Sequence, residues 1–161
     1  MDNRLSTGLG FDAHRFASDS RPLFLATLQW EGQGIEGDSD GDVVVHALID
    51  ACCAAADLGD IGSLFGVGPQ SLGSGMRGDA MLSTVADMLR SRGCTLRSAS
   101  VVVVGNRPKV GPRRVEAQQA LGSILHCPVS LTATTTDGMG FTGHGEGIAA
   151  MANVLMDVAR T

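Results

Sequence analysis

Tyrosine is absent from the 161 residues, tryptophan occurs once and phenylalanine five times. With so few rings, any core must be built from aliphatic and small side chains. Cationic side chains are also scarce: 12 Lys and Arg stand against 17 Asp and Glu, for a net charge of −5. The cations are scattered rather than clustered, which argues against a nucleic-acid-binding surface. No apolar run approaches the roughly 18 residues that a membrane span needs. The opening MDNRLSTGLGFDAH lacks the charged-then-apolar order of a secretory leader. The four cysteines (Cys52, Cys53, Cys94, Cys127) form no C-x-x-C pair and read as reduced core thiols, so the cytoplasm is the default compartment.

What the chain does have is glycine, 22 residues of it, with 43% hydrophobic and 18% charged residues. That balance describes a globular protein with many tight turns, and the length suits a single domain over residues 1–161. Leu5–His14 and Pro22–Trp30 read as strands. From Asp40 or Gly41 to about Leu58, Val44, Leu48, Ala51 and Ala55 recur at helical spacing and Gly59 supplies a stop. Residues 66–78 are rich in Gly and Ser without periodicity, and loops of that length in compact domains are often functional. A second helix follows over Asp79–Arg92 and a strand over Thr95–Val104, whose VVVV end suggests burial on both faces. Pro112–Leu125 is a third helix and Val129–Thr136 another strand, while Ile148–Val158 is ambiguous by periodicity. This order predicts a sheet covered by helices.

Several short constellations carry chemistry. Asp12 and His14 stand at i and i+2 of the first strand, so a carboxylate and an imidazole project from one face. That pair suits a zinc-type cation, which takes oxygen and nitrogen ligands. His46, early in the first long helix, is the natural third ligand, and three protein ligands leave the fourth position open, as a catalytic site requires. Asp42 and Asp50, at i−4 and i+4, are candidates to hold its second ring nitrogen. The alternative is a buried His satisfied by Asp50.

Asp38, Asp40 and Asp42 fall within five residues of GDSDGDVVVHALID. Ser39 and the acids also fit a helix start, where they cap and complement the dipole. An EF-hand is excluded: counted from Asp38, Val43 and Ile49 occupy the positions for Gly and Glu. Thr134, Thr135 and Thr136 end a strand where hydroxyl and main-chain N–H groups can hold phosphate, with Asp137 available to Mg²⁺. Gly143–Gly147 is a polar, flexible loop around His144, and Lys109 follows Arg107-Pro108 where it can meet an anion. Each of these also reads as an ordinary turn.

Taken in order, G-x-G-x-D-x-H-R-F, S-D-G-D-V-x-x-H-A-L-x-D-A, L-G-D-I-G-x-x-F, P-K and T-T-T-x-x-x-G-x-T-G-x-G-E-G run along the chain. With them, the sequence from about Thr7 to Val158 resembles the 2-C-methyl-D-erythritol 2,4-cyclodiphosphate synthase family of the non-mevalonate isoprenoid pathway. The resemblance implies an α+β fold, a mixed sheet with helices on one face, and a homotrimer whose sheets face the threefold axis. It makes Ile148–Val158 a strand and places each active site between neighbouring subunits. The implied reaction converts 4-diphosphocytidyl-2-C-methyl-D-erythritol 2-phosphate to the cyclic diphosphate and CMP, the substrate's own 2-phosphate attacking the β-phosphorus. Other readings of the same residues are a metal-dependent phosphohydrolase and a non-catalytic trimer that binds isoprenoid diphosphates.

By motif match, Asp12, His14 and His46 bind Zn²⁺, and Asp137 holds a second ion, Mg²⁺ or Mn²⁺, on the substrate's diphosphate. Gly105, Arg107, Pro108, Lys109, Thr134 and Thr135 match the cytidine-diphosphate surface. Asp60 and Gly62 match the ribose contact, and Ser39 and Phe65 lie where the phosphate and erythritol end is held. Asp137, Thr135 and Asp38 are the candidates nearest the reacting phosphates. Phe141 and His144 fall at the trimer axis, where isoprenoid diphosphates bind in the family.

The chain departs from the family pattern at several points. Asp38 stands where His is usual, Asp137 where Glu is more common, Thr132 where Lys is usual and His144 where Arg is usual. Gly66-Val67-Gly68-Pro69 replaces Pro-Asp-x-x-Asp. An acid at position 38 repels phosphate unless it is protonated, turned away or bound to metal. On charge alone, Asp38→His should preserve or improve turnover.

Overall fold

A computed structural model describes residues 3–159. Its main sheet has four strands in the order β1 (Asn3–Arg15), β6 (Gly147–Ala159), β4 (Thr95–Val104) and β5 (Val129–Thr134). β6 runs antiparallel to both neighbours, and β4 and β5 are parallel. Parallel neighbours need a crossover, supplied by a 3-10 turn (Gly111–Arg113) and a helix, Arg114–Leu125. The sheet is therefore mixed. The segment that periodicity leaves ambiguous is the second strand, between β1 and β4. Its Ile148, Ala150, Ala152, Val154 and Met156 are buried, and Met151 and Asn153 on the other side are exposed.

The long helices α1 (Val43–Ala56) and α4 (Arg114–Leu125) pack on the buried face of the sheet, and α3 (Gly78–Ser91) packs against both of them. α1 lies closest, because β1 presents Gly8 and Gly10 to it. A Cβ on Gly10 would sit 2.0 Å from the Ala47 carbonyl oxygen, and one on Gly8 1.9 Å from that of Ala51. Missing side chains thus let a helix backbone rest on a strand. The sequence G-x-G-x-D-x-H then has a plain meaning: along one strand face, two gaps for the helix are followed by two polar groups beside its N-terminal turns.

Pro22–Trp30 is not one strand. It is a hairpin of β2 (Leu23–Leu25) and β3 (Leu28–Trp30), turning at Ala26 and Thr27 with φ of 53° and 68°. No glycine advertises that turn, which is why pattern reading runs through it. Asp42 stabilises it from outside: its carboxylate accepts the Ala26 and Thr27 N–H groups at 2.9 and 2.7 Å and caps α1 through Val45 N–H at 3.2 Å. The cap is therefore Asp42, not Ser39 or Asp40. Two short helices were not expected, α2 (Ile61–Phe65) and α5 (Gly140–Gly143).

The valines of β4 alternate instead of being buried on both sides: Val101 and Val103 are buried, Val102 and Val104 half-exposed. The sheet face away from the helices stays open, and on it Leu5, Leu9, Phe11 and Met151 are exposed. The four cysteines are free and buried, as expected. No helix among the described residues is long and apolar enough to cross a membrane.

Candidate metal centre and active-site cavity

Asp12 and His14 leave the last residues of β1 on its α1-facing side, and His46 meets them from the first turns of α1. Asp12 Oδ2 lies 3.1 Å from His14 Nε2 and 3.0 Å from His46 Nδ1. One potential ligand atom from each residue falls within 4.8 Å of the other two, and no other described residues form such a group. The His rings are edge-on at 5.5 Å between centroids. Two imidazole nitrogens and one carboxylate oxygen converging at that spacing fit a divalent ion of the zinc class and leave a coordination position free.

The electrostatics agree with that use. Burial pushes the Asp12 carboxyl up, but hydrogen bonds from His14 and His46 and their charge outweigh it, lowering its pKa to about 2. For His46, burial works against the charged form and the Asp12 contact overcomes it, so its pKa is raised.

The partner of His46's other nitrogen corrects the expectation from spacing. Ser39 Oγ lies 2.9 Å from Nε2, so with Nδ1 turned to the ligand group, Nε2–H donates to the hydroxyl. Asp42 is occupied by the hairpin and the helix cap. Asp50 accepts the Ile61 N–H at 2.7 Å and so fixes the start of α2. Helical spacing put both acids within reach of His46, but main-chain N–H groups claimed them. Ser39 could not be found by a periodic rule, because it lies in a turn before the helix.

The three candidate ligands open onto a cavity of about 220 Å³. Asp38, Ser39, Gly62 and Phe65 line it, together with Gly66, Val67, Ser71 and Gly73 of the loop over residues 66–76. Asp60 caps α2, accepting from Ser63 N–H and Ser63 Oγ at 2.8 Å each. Those bonds hold its carboxyl below the usual range. Of the expected ligand, ribose and erythritol residues in the first half of the chain, all but Asp60 line this one space.

The second half lies elsewhere. Gly105 follows β4 and its N–H donates to Thr134 O at 3.0 Å. Thr135 Oγ1 stands 3.5 Å from Asp137 Oδ1 in the exposed turn after β5. β5 is three strand spacings from β1, roughly 14 Å across the sheet, and none of Gly105, Pro108, Lys109, Thr134, Thr135 or Asp137 lines the metal cavity. Within one chain the two groups do not converge.

Pro108 and Lys109 line a separate open groove with Trp30 and Arg113. Arg107, expected as part of the cytidine-diphosphate surface, is engaged within the chain. Its guanidinium stacks 3.8 Å over the Phe16 ring and donates to Gln33 Oε1 at 2.8 Å and to Gly145 O at 3.3 Å. Phe141 lies with His14, Arg15 and Gly147 around a smaller opening at the same end of the sheet. His144 is exposed, its Nδ1 3.9 Å from Glu146 Oε1.

Comparisons with known proteins bear on the family and the fold. The family model for the YgbB family matches residues 5–157. The 2-C-methyl-D-erythritol 2,4-cyclodiphosphate synthase of Bifidobacterium longum is 58% identical, the alignment covering 93% of this chain and 94% of that protein. Among solved structures, the bifunctional IspDF from Campylobacter jejuni superposes with a TM-score of 0.88 at 32% identity, covering 98% of this chain and 43% of that one. A 2C-methyl-D-erythritol-2,4-cyclodiphosphate synthase in a CDP-bound form superposes at 0.81 with 35% identity, covering 94% of this chain and 99% of that one.

Proposed function

The chain belongs to the YgbB family and is a 2-C-methyl-D-erythritol 2,4-cyclodiphosphate synthase, and from that premise we propose how its residues divide the work between neighbouring subunits of a cytoplasmic homotrimer. The reaction converts 4-diphosphocytidyl-2-C-methyl-D-erythritol 2-phosphate to 2-C-methyl-D-erythritol 2,4-cyclodiphosphate and CMP, a step of isoprenoid biosynthesis. An oxygen of the substrate's 2-phosphate bonds to the β-phosphorus, and the bond from that phosphorus to the bridging oxygen breaks, releasing CMP. Nucleophile and leaving group both belong to the substrate, so the protein's tasks are positioning and charge neutralisation.

The observation that carries the reading is the cavity that joins Asp12, His14 and His46 to Ser39, Gly62 and Phe65. In our reading Asp12, His14 and His46 hold Zn²⁺ and Asp137 holds Mg²⁺ or Mn²⁺. Such ions, when bound, neutralise the diphosphate oxygens and polarise the phosphorus under attack. Ser39 keeps His46 in the ligating tautomer. Phe65 and the 66–76 loop enclose the erythritol phosphate, and Asp60 and Gly62 meet the ribose. Gly105, Pro108, Lys109, Thr134 and Thr135 take the cytidine diphosphate, with Arg107 anchoring their segment to Phe16 and the Gly145 turn.

The separation of these two groups within a chain is the reason to assign them to different subunits. Two features support a trimer: half of the site is missing from each cavity, and the uncovered sheet face exposes Leu5, Leu9, Phe11 and Met151. Phe141 and His144 then approach the symmetry axis, where His144 stands in place of the usual Arg.

The test is product identity. Protein reconstituted with Zn²⁺ and Mg²⁺ should convert the substrate to CMP and the cyclic diphosphate. A linear phosphate product would point to hydrolysis, and no turnover by metal-replete protein would refute the assignment.

A further inference from the structure

Asp38 is the residue whose charge the family resemblance leaves unexplained beside the reacting phosphates, and its contacts account for it. Its Oδ2 accepts the Gly68 N–H at 2.7 Å across thirty positions of sequence. Its main-chain carbonyl accepts the Gly75 N–H, also at 2.7 Å. Two residues on, Asp40 Oδ2 accepts the Gly78 N–H at 2.6 Å. The acidic turn thus grips the long loop near its beginning, towards its end and at the start of α3. Ser39, between the two acids, stays turned to His46.

Gly68 has φ of +90°, a conformation that L side chains rarely adopt, and it leads into Pro69. The loop also carries a conflict: Ser71 Oγ is buried with no hydrogen-bond partner among the described residues. A buried hydroxyl without a partner disfavours the conformation that buries it. The charge-assisted bond from Asp38 to Gly68 opposes that tendency.

We infer that Asp38 is a positioning residue, a staple that holds the 66–76 loop as the wall of the substrate cavity and so sets affinity for the erythritol-phosphate end. This rests on the reading of the cavity given above. The phosphate-repelling charge is directed at a main-chain N–H, which accounts for an acid being tolerated beside a polyanion. A His at this position replaces the charged carboxylate with at most one neutral ring nitrogen on a side chain of different reach, so the expectation from charge alone is reversed: Asp38→His loses substrate affinity.

The test uses the full-length, metal-loaded protein and the variants Asp38→Ala, Asp38→His and Asp38→Asn. Amide hydrogen exchange reads the staple without substrate. In Ala and His, exchange at Gly68 should rise about tenfold, while Gly75, held by a main-chain carbonyl that substitution leaves in place, changes little. Steady-state kinetics should show KM raised about tenfold with kcat within about threefold, the mark of a lost contact made equally in ground and transition states. Asn retains a carbonyl oxygen and should restore both readouts most of the way. Unchanged Gly68 exchange in Ala, a His variant with wild-type KM, or an Asn variant as impaired as Ala would each overturn the inference. Failure of the wild type to form the cyclic product would instead refute the function proposed above, and the exchange pattern would still judge the staple.

Discussion

Removing the Asp42 carboxylate tests the bonds that join the β2–β3 hairpin to the start of α1. Asp42 is fully buried, and burial, aided by Asp40, pushes its carboxyl up to about 6 against the pull of three N–H donors. At pH 7.5 it is therefore ionised. Asp42→Ala removes the cap of α1, worth about 1 kcal/mol. It also orphans the buried Ala26 N–H, at about 1–3 kcal/mol, and the partly buried Thr27 N–H, at about 1 kcal/mol. The sum is about 4 kcal/mol, or a fall in Tm of roughly 8–16 °C for a chain of this size.

The single tryptophan makes the assay specific. Trp30 lies on β3 and donates its indole N–H to Leu25 O at 2.8 Å, so its fluorescence reports the hairpin that Asp42 holds. Thermal unfolding should be followed by both Trp30 emission and far-UV circular dichroism. Asp42→Asn keeps one oxygen for Ala26 and Val45 but opposes an amide NH₂ to the Thr27 N–H, and should cost about 1–2 kcal/mol. An Ala variant within about 1 kcal/mol of wild type, with native Trp30 emission, would refute the reasoning. So would an Asn variant as unstable as Ala. Below the transition, metal content should hold, because the His46 N–H bonds to the Asp42 main-chain carbonyl at 3.0 Å.

Three further outcomes are expected. His46→Ala should lose bound zinc while keeping its secondary structure, and Ser39→Ala should weaken zinc affinity about tenfold by freeing the second ring nitrogen; metal titration with circular dichroism checks both, and native zinc content in the first would exclude His46 as a ligand. In metal-free protein, the depressed Asp12 pKa contributes about 2 kcal/mol that is present above pH 4 and lost as pH falls through about 2. The raised His46 pKa contributes stability present below about pH 6.5 and lost as pH rises through the folded value. Urea midpoints at pH 3, 5 and 8 should thus be highest at pH 5, and Asp12→Asn should flatten the profile; an unaltered profile would show that the pair is not coupled. Finally, Leu9→Glu on the open sheet face should leave a folded monomer by sedimentation and abolish turnover, whereas an intact, active trimer would place the interface elsewhere.

The ligand group was legible because it obeys local rules. Asp12 and His14 share a strand face by the period of two, and His46 falls on the first turns of a helix that its own pattern announces. The close approach that joins them is also written in the chain, in Gly8 and Gly10. Other local rules failed where long-range contacts outweighed them. The β2–β3 turn has no glycine because Asp42, sixteen positions from Ala26, stabilises its left-handed residues. β6 lacks a clean alternation because its inner face is buried against a helix and its outer face carries Met151 and Asn153.

The sequence by itself determined the family, the three candidate ligands and the strand and helix that carry them, because each follows from residue types at short, fixed spacing. Only the tertiary structure decided the tasks of the neighbouring acids. Asp38 went to Gly68, Asp40 to Gly78, Asp42 to the hairpin and Asp50 to α2, leaving Ser39 for His46. A carboxylate accepts from any N–H within reach, and which N–H arrives depends on where a distant hairpin and loop come to rest. That depends on how the whole chain packs.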